Sequence, residues 1–483
     1  MTDDDGKVVK TSDGTPKTCE CVTENKSKQW LTGLVGKLCF SLIADITIFT
    51  YGMQTGWMSP SIQVLQGPNS PSGYPLSDYE ISWIAGTVTI VAVFFCLGFS
   101  VVCDRYGRRM SLVLVAVTQA IGWIIKLISA KPVYLIVSQV FVGIASAGVY
   151  TCAPLYIKEI SSDSIRGSMA SAGIVLQSVG ALIMFGIAPH LEYHTVLWLV
   201  TWIPVVNVLL LLKIPETPPY LVKRGKIDEA RTTIASLVGL EPDSKSVNAS
   251  VECLTKAQEY FDTLPKISLK RAFADKATRR AFYIGLFVVS LLDFGGNFVI
   301  SIYASVIIKN SGVTVRPELQ ALSLPAIMII GSLVSTVTVE KYGRKPLLIS
   351  SLIINGLPMT ILGILLILPT YGFEIAQWIP VLCVIITVFA YGAGVLPIPY
   401  IILMEIFNFE VRAMVFGFYV TYGWFLCFLQ TIIFTPISQA LGMHVIFFLF
   451  SAVNIISAVC CAIWLPETKG KSLEKIQDEL CAR

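Results

Sequence analysis

The chain has 483 residues, of which 54% are hydrophobic and 14% are charged, and its formal net charge is +4. Soluble globular chains are about a quarter charged, so this composition excludes an ordinary soluble domain and favours a membrane protein. The net charge is too small to indicate nucleic acid as a partner. The twelve cysteines, several of them inside apolar stretches, predict reduced thiols and no disulfide framework.

Twelve apolar stretches follow one another along the chain. Each comes close to the roughly 20 residues that a helix needs to cross about 30 Å of hydrocarbon. They lie near residues 37–56, 81–102, 110–129, 133–153, 168–189, 195–213, 281–304, 320–339, 347–369, 377–403, 413–436 and 443–464. The sequence therefore predicts an all-α membrane protein with twelve transmembrane helices in two six-helix bundles.

The predicted domains follow from a polar, basic segment that separates the two sets of stretches. Bundles are expected at 37–213 and 281–464, and a cytoplasmic linker with short helices is expected at 214–280. Polar cytoplasmic tails are expected at 1–36 and 465–483.

Three short motifs occur in the same order in each half of the chain. In the first half they are the run Asp104–Arg109, Glu159 followed seven residues later by Arg166, and Pro215-Glu216-Thr217. In the second half they are the run Glu340–Lys345, Glu405 followed seven residues later by Arg412, and Pro466-Glu467-Thr468. The repetition predicts two pseudo-symmetric bundles, an architecture that moves small solutes across bilayers.

The basic residues of these motifs, together with the linker, fall on one side of the predicted bilayer. The loops of the other side carry few, namely Lys131, Lys309 and Arg316. Because positive charge marks cytoplasmic loops, both termini and the linker are expected in the cytoplasm. A multi-pass protein of the plasma membrane is the default expectation.

The residues of the chain give no reason to expect an enzyme, a cofactor or a metal. No Walker loop and no nucleophile–base pattern occurs, and there are three histidines. His190 and His194 are four residues apart in an outer loop, where a solvated pair is expected. The expected partners are the bilayer and a small solute, and a monomer suffices for transport.

These motifs resemble the sugar porters of the major facilitator superfamily over essentially the whole chain from about residue 37. The resemblance is carried by Asp104–Arg109, by Pro154-x-Tyr156-x-x-Glu159 with Arg166-Gly167, by Pro215–Leu221 and by Pro466–Gly470. The run Gly52–Pro60 is similar to insect members of the family, including trehalose-type facilitators. The resemblance implies alternating access around a solute site near the midplane.

Arginines beside carboxylates at helix ends make charge-assisted hydrogen bonds, so these motifs predict a latch across the two halves on the cytoplasmic side. The resemblance adds the two glutamates of the Pro-Glu-Thr motifs. Alternatively, the charges fix only the topology and remain in water. The predicted gate consists of Asp104, Arg105, Arg108, Arg109, Glu159, Arg166, Glu216, Glu340, Arg344, Glu405, Arg412 and Glu467.

At the central site the residues expected from the resemblance are mostly missing. Ile174 stands where sugar porters carry glutamine, and Gly423 replaces asparagine. Two more glutamines are replaced by Leu291 and Leu292 if the seventh span is aligned on Asn297, whereas an alignment on Tyr303 puts Asp293 at the second of them. Neutral amides recognise sugar hydroxyls, so glucose is a poor candidate, whereas a polyol, disaccharide or other neutral solute fits. The candidate binding residues are Gln54, Gln177, Asp293, Asn297, Tyr303, Tyr400 and Trp424.

The predicted transport is facilitative and uncoupled. Proton-coupled sugar porters carry Asp where Gln54 stands and Arg where Gln139 stands, and neither glutamine can titrate. Asp293, roughly 16 Å into its span, could couple protons or could be a packing acid. A non-transporting sensor of the same fold is a further alternative.

Three smaller expectations concern individual helices. Thr47, Thr50 and Gln54 share a face of the first span that is expected to line the pathway. Lys126 is expected to snorkel from the outer end of the third span. Pro397 and Pro399 are expected to interrupt the tenth span, as a hinge or a static kink.

Overall fold

The computed structural model of the protein describes residues 27–161, 163–263, 276–310, 322–373, 376, 378–407, 409–471, 475–476 and 479. Within these residues the chain is helical and contains no strand. The first half contains α1 (Ser27–Leu65), α2 (Asp78–Tyr106), α3 (Arg108–Ile128), α4 (Pro132–Ile160), α5 (Asp163–Ile187) and α6 (Tyr193–Leu211). The linker contains α7 (Pro218–Lys223), α8 (Ile227–Val238) and α9 (Lys245–Thr263).

The second half begins with a span made of two helices, α10 (Lys276–Phe294) and α11 (Asn297–Asn310). It continues with α12 (Ser323–Tyr342), α13 (Arg344–Ile367) and a 3-10 turn at Leu368–Tyr371. The next span consists of α14 (Trp378–Ala390), a π-helical turn at Tyr391–Val395 and α15 (Pro397–Ile406). The last two helices are α16 (Phe409–Leu441) and α17 (Met443–Trp464).

Nine helical segments in the described part of the chain are long and apolar enough to cross a membrane. Two shorter apolar helices, Ala172–Ile187 and Ser323–Val339, cover the fifth and eighth predicted spans. The first predicted span lies in α1, which contains several buried polar residues. The membrane-spanning α-helical fold is therefore confirmed, and the count of twelve crossings stays a prediction.

The boundaries differ from the expectation at two places, and the expected interruption of the tenth span lies just before its prolines. Helix α1 begins at Ser27, inside the predicted polar tail, and continues past the bilayer-length stretch to Leu65. The seventh span is broken at Gly295, whose carbonyl accepts from Asn454 Nδ2 of α17 at 3.1 Å. The tenth span is interrupted at the π-helical turn, and Pro397 then occupies the first turn of α15, where a missing N–H is tolerated.

The two halves repeat one packing scheme. In the first half, α1 packs against α5, α2 against α4, and α3 against α4 and α6. The corresponding pairs in the second half are α10 with α16, α12 with the π-helical turn, and α13 with α14 and α17. The halves meet through α2 and α16, α1 and α11, and α5 and α12. This is the pseudo-symmetric arrangement that the duplicated motifs predicted.

The apolar core divides the molecule into two ends. We call the end with residues 104–109 and 340–345 the cationic end, and the other the opposite end. At the opposite end one cluster includes residues of both halves, such as Trp57, Ile81, Tyr303 and Phe434. At the cationic end each half has its own cluster, and Trp424 of α16 packs against that of the first half. The halves are therefore joined more closely at the opposite end.

Two expectations about single residues were wrong. Lys126 does not snorkel, because its side chain is 0% exposed. Its Nζ lies 3.8 Å from the ring centroid of Trp57 and 4.5 Å from that of Trp123, so aromatic faces replace water around the ammonium. Cys253 of α9 is disulfide-bonded, although reduced thiols were expected throughout.

Candidate functional site

In the first half, Arg108 connects three helical elements at the cationic end. Its Nε and Nη2 lie 3.1 and 2.9 Å from Glu159 Oε1 at the end of α4, and the two side chains are 10% and 12% exposed. Glu216, which follows α6, accepts from the backbone N–H groups of Arg108 and Arg109 at 3.0 and 3.1 Å. Glu216 therefore caps the N-terminus of α3, where the helix dipole favours an anion.

The second half contains the same cluster. Arg344 Nε and Nη2 lie 3.1 and 2.9 Å from Glu405 Oε1, and Glu405 is 28% exposed. Glu467 follows α17 and caps the N-terminus of α13. It accepts at 2.9 to 3.0 Å from the backbone N–H groups of Arg344, Lys345, Thr468 and Lys469.

The other predicted gate residues surround these clusters. Asp104 is 61% exposed and lies 3.6 Å from Arg108 and 3.4 Å from Lys223 of α7. The backbone carbonyl of Arg105 accepts from the hydroxyl of Tyr220 at 3.1 Å. The side chains of three further predicted members lie outside the described residues, namely Arg166, Glu340 and Arg412.

The Arg–Glu pairs described above lie within one half each, which differs from the latch expected across the halves. Arg108 pairs with Glu159 of its own half, and Arg344 pairs with Glu405 of its own half. The physical reason is the division of the apolar core, since each half has a separate cluster at the cationic end. In this conformation the described pairs hold the helices of one half together.

The two capping glutamates differ in their electrostatic environment. Burial raises the pKa of Glu216, although backbone N–H groups of Thr217, Arg109 and Arg108 act against it. Burial also opposes the ionisation of Glu467, but its four backbone donors together outweigh this and hold its pKa below the ordinary value.

A polar aromatic group lies between the halves, centred on Tyr150 of α4. Its hydroxyl donates to Gln177 Oε1 of α5 at 3.0 Å. Its ring centroid lies 5.5 Å from that of Tyr51 in α1 and 6.3 Å from that of Trp424 in α16. Tyr150 contacts both halves and yet is 41% exposed, so it faces an accessible space between them.

Asp293 lies on the second-half side of this space, between α10 and α16. Its Oδ1 accepts from the thiol of Cys427 at 3.4 Å, whereas its Oδ2 is buried without a hydrogen-bond partner in the described structure. A Cβ on Gly423 would lie 3.0 Å from Oδ2, so the glycine makes room for the carboxylate. Tyr391 and Tyr400 are within electrostatic range of Asp293.

Two other predicted binding residues lie nearer the opposite end. Tyr303 is 5% exposed, its ring stacks on Phe434 at 4.8 Å, and its hydroxyl lies 3.5 Å from Ser82 Oγ of the first half. Asn297, at the start of α11, is 2% exposed. Neither shares the accessible space around Tyr150 in this conformation.

Gln54 is turned away from that space. Its Nε2 donates to the backbone carbonyl of Gln119 in α3 at 3.4 Å. Thr47 Oγ1, on the same face of α1, accepts from Asn207 of α6 at 3.1 Å. The expected lining stripe of α1 was therefore wrong, because the stripe faces the interior of the first half.

The sequence reasoning missed three residues of this region, Tyr51, Tyr150 and Tyr391. Tyr51 follows Thr50 directly, and each residue of a helix is rotated by about 100° from the one before it. Because the face with Thr50 was expected to line the pathway, Tyr51 was assigned to a different face. The three tyrosines are aromatic residues within apolar spans, and no short motif marks them.

The group around Tyr150 has the composition of a small-molecule site. Four aromatic side chains, those of Tyr150, Trp424, Tyr391 and Tyr400, provide apolar surface, and Gln177 and Asp293 provide polar atoms. Such a mixture orients an organic solute by a few hydrogen bonds within a mainly apolar cavity. In the described residues no group of three or more His, Cys, Asp or Glu side chains could hold a metal ion.

Comparisons with known proteins found related transporters. A family model described as "Sugar (and other) transporter" matches residues 40–480. The facilitated trehalose transporter Tret1 of Bombyx mori is 26% identical over 448 residues, which cover 92% of this chain and 86% of that protein. Tret1 of Culex quinquefasciatus is 23% identical over 456 residues, covering 93% and 87%.

Solved structures share the fold. The inward-open conformation of the xylose transporter XylE from E. coli has a TM-score of 0.73 and 18% identity, and the match covers 92% of this chain and 99% of that one. The proton:xylose symporter XylE bound to 6-bromo-6-deoxy-D-glucose has a TM-score of 0.72 and 18% identity, with coverage of 93% and 100%. This likeness shows the major facilitator fold.

Proposed function

Because the chain belongs to the sugar transporter family, whose members are sugar porters of the major facilitator superfamily, we propose that it carries a sugar or related neutral polyol across a membrane. The observation that carries this proposal is Tyr150, an accessible aromatic residue that contacts both halves and is hydrogen-bonded to Gln177. The printed names of the relatives, facilitated trehalose transporters, support a sugar as the solute.

We further propose that transport proceeds by alternating access, with the halves rocking about the site. The shared apolar cluster at the opposite end supports a closed gate there. Hydrogen bonds between the halves reinforce it, from Gln439 to Asp78 at 2.8 Å and between Ser82 and Thr435. Since the cationic end is cytoplasmic by the positive-inside rule, this conformation faces inward. Both termini are then cytoplasmic, and the plasma membrane is the proposed location.

The proposed transport is uncoupled. Gln54 and Gln139 are buried amides that carry no titratable proton, so the positions that serve proton coupling in similar porters are neutral here. A solute then moves only down its own gradient.

A second candidate function is proton-coupled transport through Asp293. Its buried Oδ2, unpartnered in the described structure and facing Gly423, favours this alternative. Ionisable side chains inside a membrane are costly and commonly serve transport.

The proposal is tested by uptake of labelled trehalose, glucose and a polyol into liposomes that contain the purified full-length protein. We expect saturable, downhill uptake of at least one solute, reduced at least tenfold by Trp424→Ala and by Gln177→Ala. Trp198→Ala is the matched control, because Trp198 of α6 is 59% exposed and shares a groove with Ile124 and Leu127 of α3, neither of which belongs to the site. Specific sugar binding without any flux would instead identify a sensor.

A pH gradient separates the two transport modes. Uncoupled transport predicts the same final solute level with and without an inward proton gradient. Accumulation above the outside concentration that Asp293→Asn abolishes would establish proton coupling and overturn the uncoupled mechanism.

A further inference from the structure

The carboxylate of Asp293 leaves most of its hydrogen-bonding capacity unused. In the described structure its Oδ1 accepts from the thiol of Cys427 at 3.4 Å, and a thiol is a weak donor. Its Oδ2 has no partner, and the described residues offer no Lys, Arg or His side chain to either oxygen. Acidic side chains inside membrane spans are costly and usually pair with another group or serve function. The partner of this carboxylate is therefore expected to come from outside the chain.

The position of Asp293 on its helix favours a positively charged partner. Asp293 lies in the last turn of α10, which ends at Phe294. The carbonyl groups at the C-terminus of a helix carry partial negative charge, which favours a cation and disfavours a carboxylate. The backbone thus adds to the negative potential of Asp293, and both contributions favour a cationic ligand.

Aromatic side chains surround the carboxylate. Cys427, the thiol neighbour of Asp293, is within electrostatic range of four tyrosines, namely Tyr51, Tyr150, Tyr391 and Tyr400. Trp424 directly follows Gly423, at which an added Cβ would lie 3.0 Å from Asp293 Oδ2. The ring of Trp424 in turn lies 6.3 Å from that of Tyr150.

A solute can reach this group in the present conformation. Tyr150 is 41% exposed. The side chains of Asp293, Tyr391, Tyr400 and Trp424 are half-buried. The carboxylate and the rings therefore border the accessible space between the halves.

The aromatic walls favour an organic ammonium over a metal ion. A ring face attracts an ammonium group, and such a contact contributes about 0.5–2 kcal/mol. Hard metal cations instead take about six or more oxygen ligands, whereas this group provides one carboxylate among neutral side chains. The chain holds an ammonium in this way elsewhere, since Lys126 Nζ lies 3.8 and 4.5 Å from the ring centroids of Trp57 and Trp123.

An ammonium also complements the hydrogen bonding of the carboxylate. An ammonium group only donates, and an ionised carboxylate only accepts. A hydroxyl does both, and the amides that suit it are replaced in this chain at Ile174 and Gly423. The site has therefore lost groups that recognise a neutral hydroxyl and contains one that recognises an amine.

We propose that Asp293 binds the protonated amine of an amino sugar, whose ring contacts Tyr150 and Trp424. The proposal rests on the proposed function and extends its solutes from neutral sugars to sugars with one positive charge. Binding is non-covalent: the ammonium donates to the carboxylate oxygens and lies against the rings of Tyr391 and Tyr400. Hydroxyl groups of the same sugar remain neutral and pair with Gln177.

Glucose and glucosamine are the test pair, because they differ by one hydroxyl that an amine of nearly equal size replaces. Uptake of each labelled sugar is measured in liposomes containing the purified full-length protein, with the membrane potential held at zero by potassium and valinomycin. The pH is about 6.5, where an amine similar to an α-amino group, with a pKa of about 7.7–8.0, is protonated. The wild-type KM for glucosamine is expected to be about tenfold below that for glucose.

Asp293→Asn keeps the size of the side chain and removes its negative charge. The ratio of the KM for glucosamine to the KM for glucose is expected to rise about tenfold in this variant. Thr431→Val is the matched control. Thr431 is buried on α16, and its hydroxyl donates to the carbonyl of Cys427 in its own helix, so the ratio should stay at the wild-type value.

Two results overturn the proposal. One is a wild-type KM for glucosamine equal to or above that for glucose, and the other is an unchanged ratio in Asp293→Asn. If that variant does not fold, wild type is measured at about pH 9, where the amine is neutral. The preference for glucosamine should then disappear, with glucose at the same pH as the reference, and a preference that persists overturns the proposal.

Failure of the proposed function remains distinguishable. Wild-type uptake of glucose or trehalose without preference for glucosamine overturns this inference and leaves the function in place. If wild type moves no sugar, the proposed function fails, and tryptophan fluorescence titration decides the inference. Tighter binding of glucosamine than of glucose that Asp293→Asn abolishes supports it, and equal binding of the two sugars overturns it.

Discussion

Each half has one Arg–Glu cluster at the cationic end, and the two clusters have the same internal contacts. They differ in the residues that pack over them. In the first half the ring of Tyr220 in α7 lies 5.4 Å from the guanidinium carbon of Arg108, and its hydroxyl donates to the carbonyl of Arg105. In the second half the corresponding carbonyl, that of Lys341, accepts instead from Nζ of Lys469 at 2.8 Å. An aromatic ring from the linker thus covers one cluster, and an exposed lysine covers the other.

The difference shows how duplicated contacts acquire unequal electrostatics. Burial dominates at Glu216 and raises its pKa, whereas four backbone donors dominate at Glu467 and lower its pKa. The hydrogen bonds to Glu216 and to Glu467 are nearly equal in length. The difference between their pKa values therefore comes from the segment that covers each cluster. We therefore expect equivalent substitutions in the two halves to have unequal effects.

The largest difference is expected for the buried ion pairs. Arg108→Ala leaves Glu159 buried without its cation, which costs about 3–5 kcal/mol of stability. Arg344→Ala is expected to cost less, because Glu405 is 28% exposed and water can reach it. Thermal melting of the purified variants measures both. The double variant Arg108→Ala/Glu159→Ala should recover part of the loss, and equal melting of the two single variants would contradict the comparison.

A smaller difference in stability is expected for substitutions of the glycine between α2 and α3 and of the glycine between α12 and α13. Gly107 and Gly343 both have φ +95°, in a region where other residues cost about 1–3 kcal/mol. An added Cβ would lie 2.2 Å from Glu216 Oε2 at Gly107 but 2.9 Å from Glu467 Oε2 at Gly343. Gly107→Ala should therefore lower the melting temperature more than Gly343→Ala. The reverse order would show that the second cluster is the more rigid.

The smallest effects are expected from pH, and their signs are opposite. Because the folded pKa of Glu216 is raised, its stabilising contribution is complete below the unfolded pKa of about 4.3 and is lost as pH rises through the folded pKa. The folded pKa of Glu467 is lowered, so its contribution is present above about 4.3 and is lost as pH falls through the folded pKa.

Glu216→Gln and Glu467→Gln remove these contributions. Relative to wild type, Glu216→Gln should gain stability as pH rises above about 4.3, and Glu467→Gln should gain as pH falls below it, each by less than about 1 kcal/mol. Melting temperatures between about pH 3 and pH 7 measure the difference. Parallel profiles for the two variants would refute the electrostatic contrast.

Much of the fold was predictable because membrane helices are selected by length and apolarity. The predicted spans fall on described helices, and the duplicated motifs anticipated the repeated packing. The breaks were harder to predict. At Gly295 the span is interrupted where Asn454 of another helix supplies a hydrogen bond, and no local pattern contains that partner.

The site was predicted less completely, because it depends on which face of each helix points between the halves. Gln177, Asp293, Tyr400 and Trp424 were predicted as binding residues, and they lie around Tyr150, which was not. Their role in binding stays a prediction. Gly423 stands where similar porters carry asparagine. Because it has no side chain, it leaves room for the carboxylate of Asp293.

The sequence by itself determined a duplicated, helical membrane protein with its cationic motifs gathered at one end, because hydrophobic length and repeated charge are local properties. Only the tertiary structure decided that Arg108 and Arg344 each pair within their own half, that Tyr150 reaches both halves, and that Gln54 faces the interior of the first half. Those features depend on the rotation and contact of helices that are hundreds of residues apart in the chain, as Asp78 and Gln439 are. Local patterns do not encode such rotations, because packing across the whole bundle sets them.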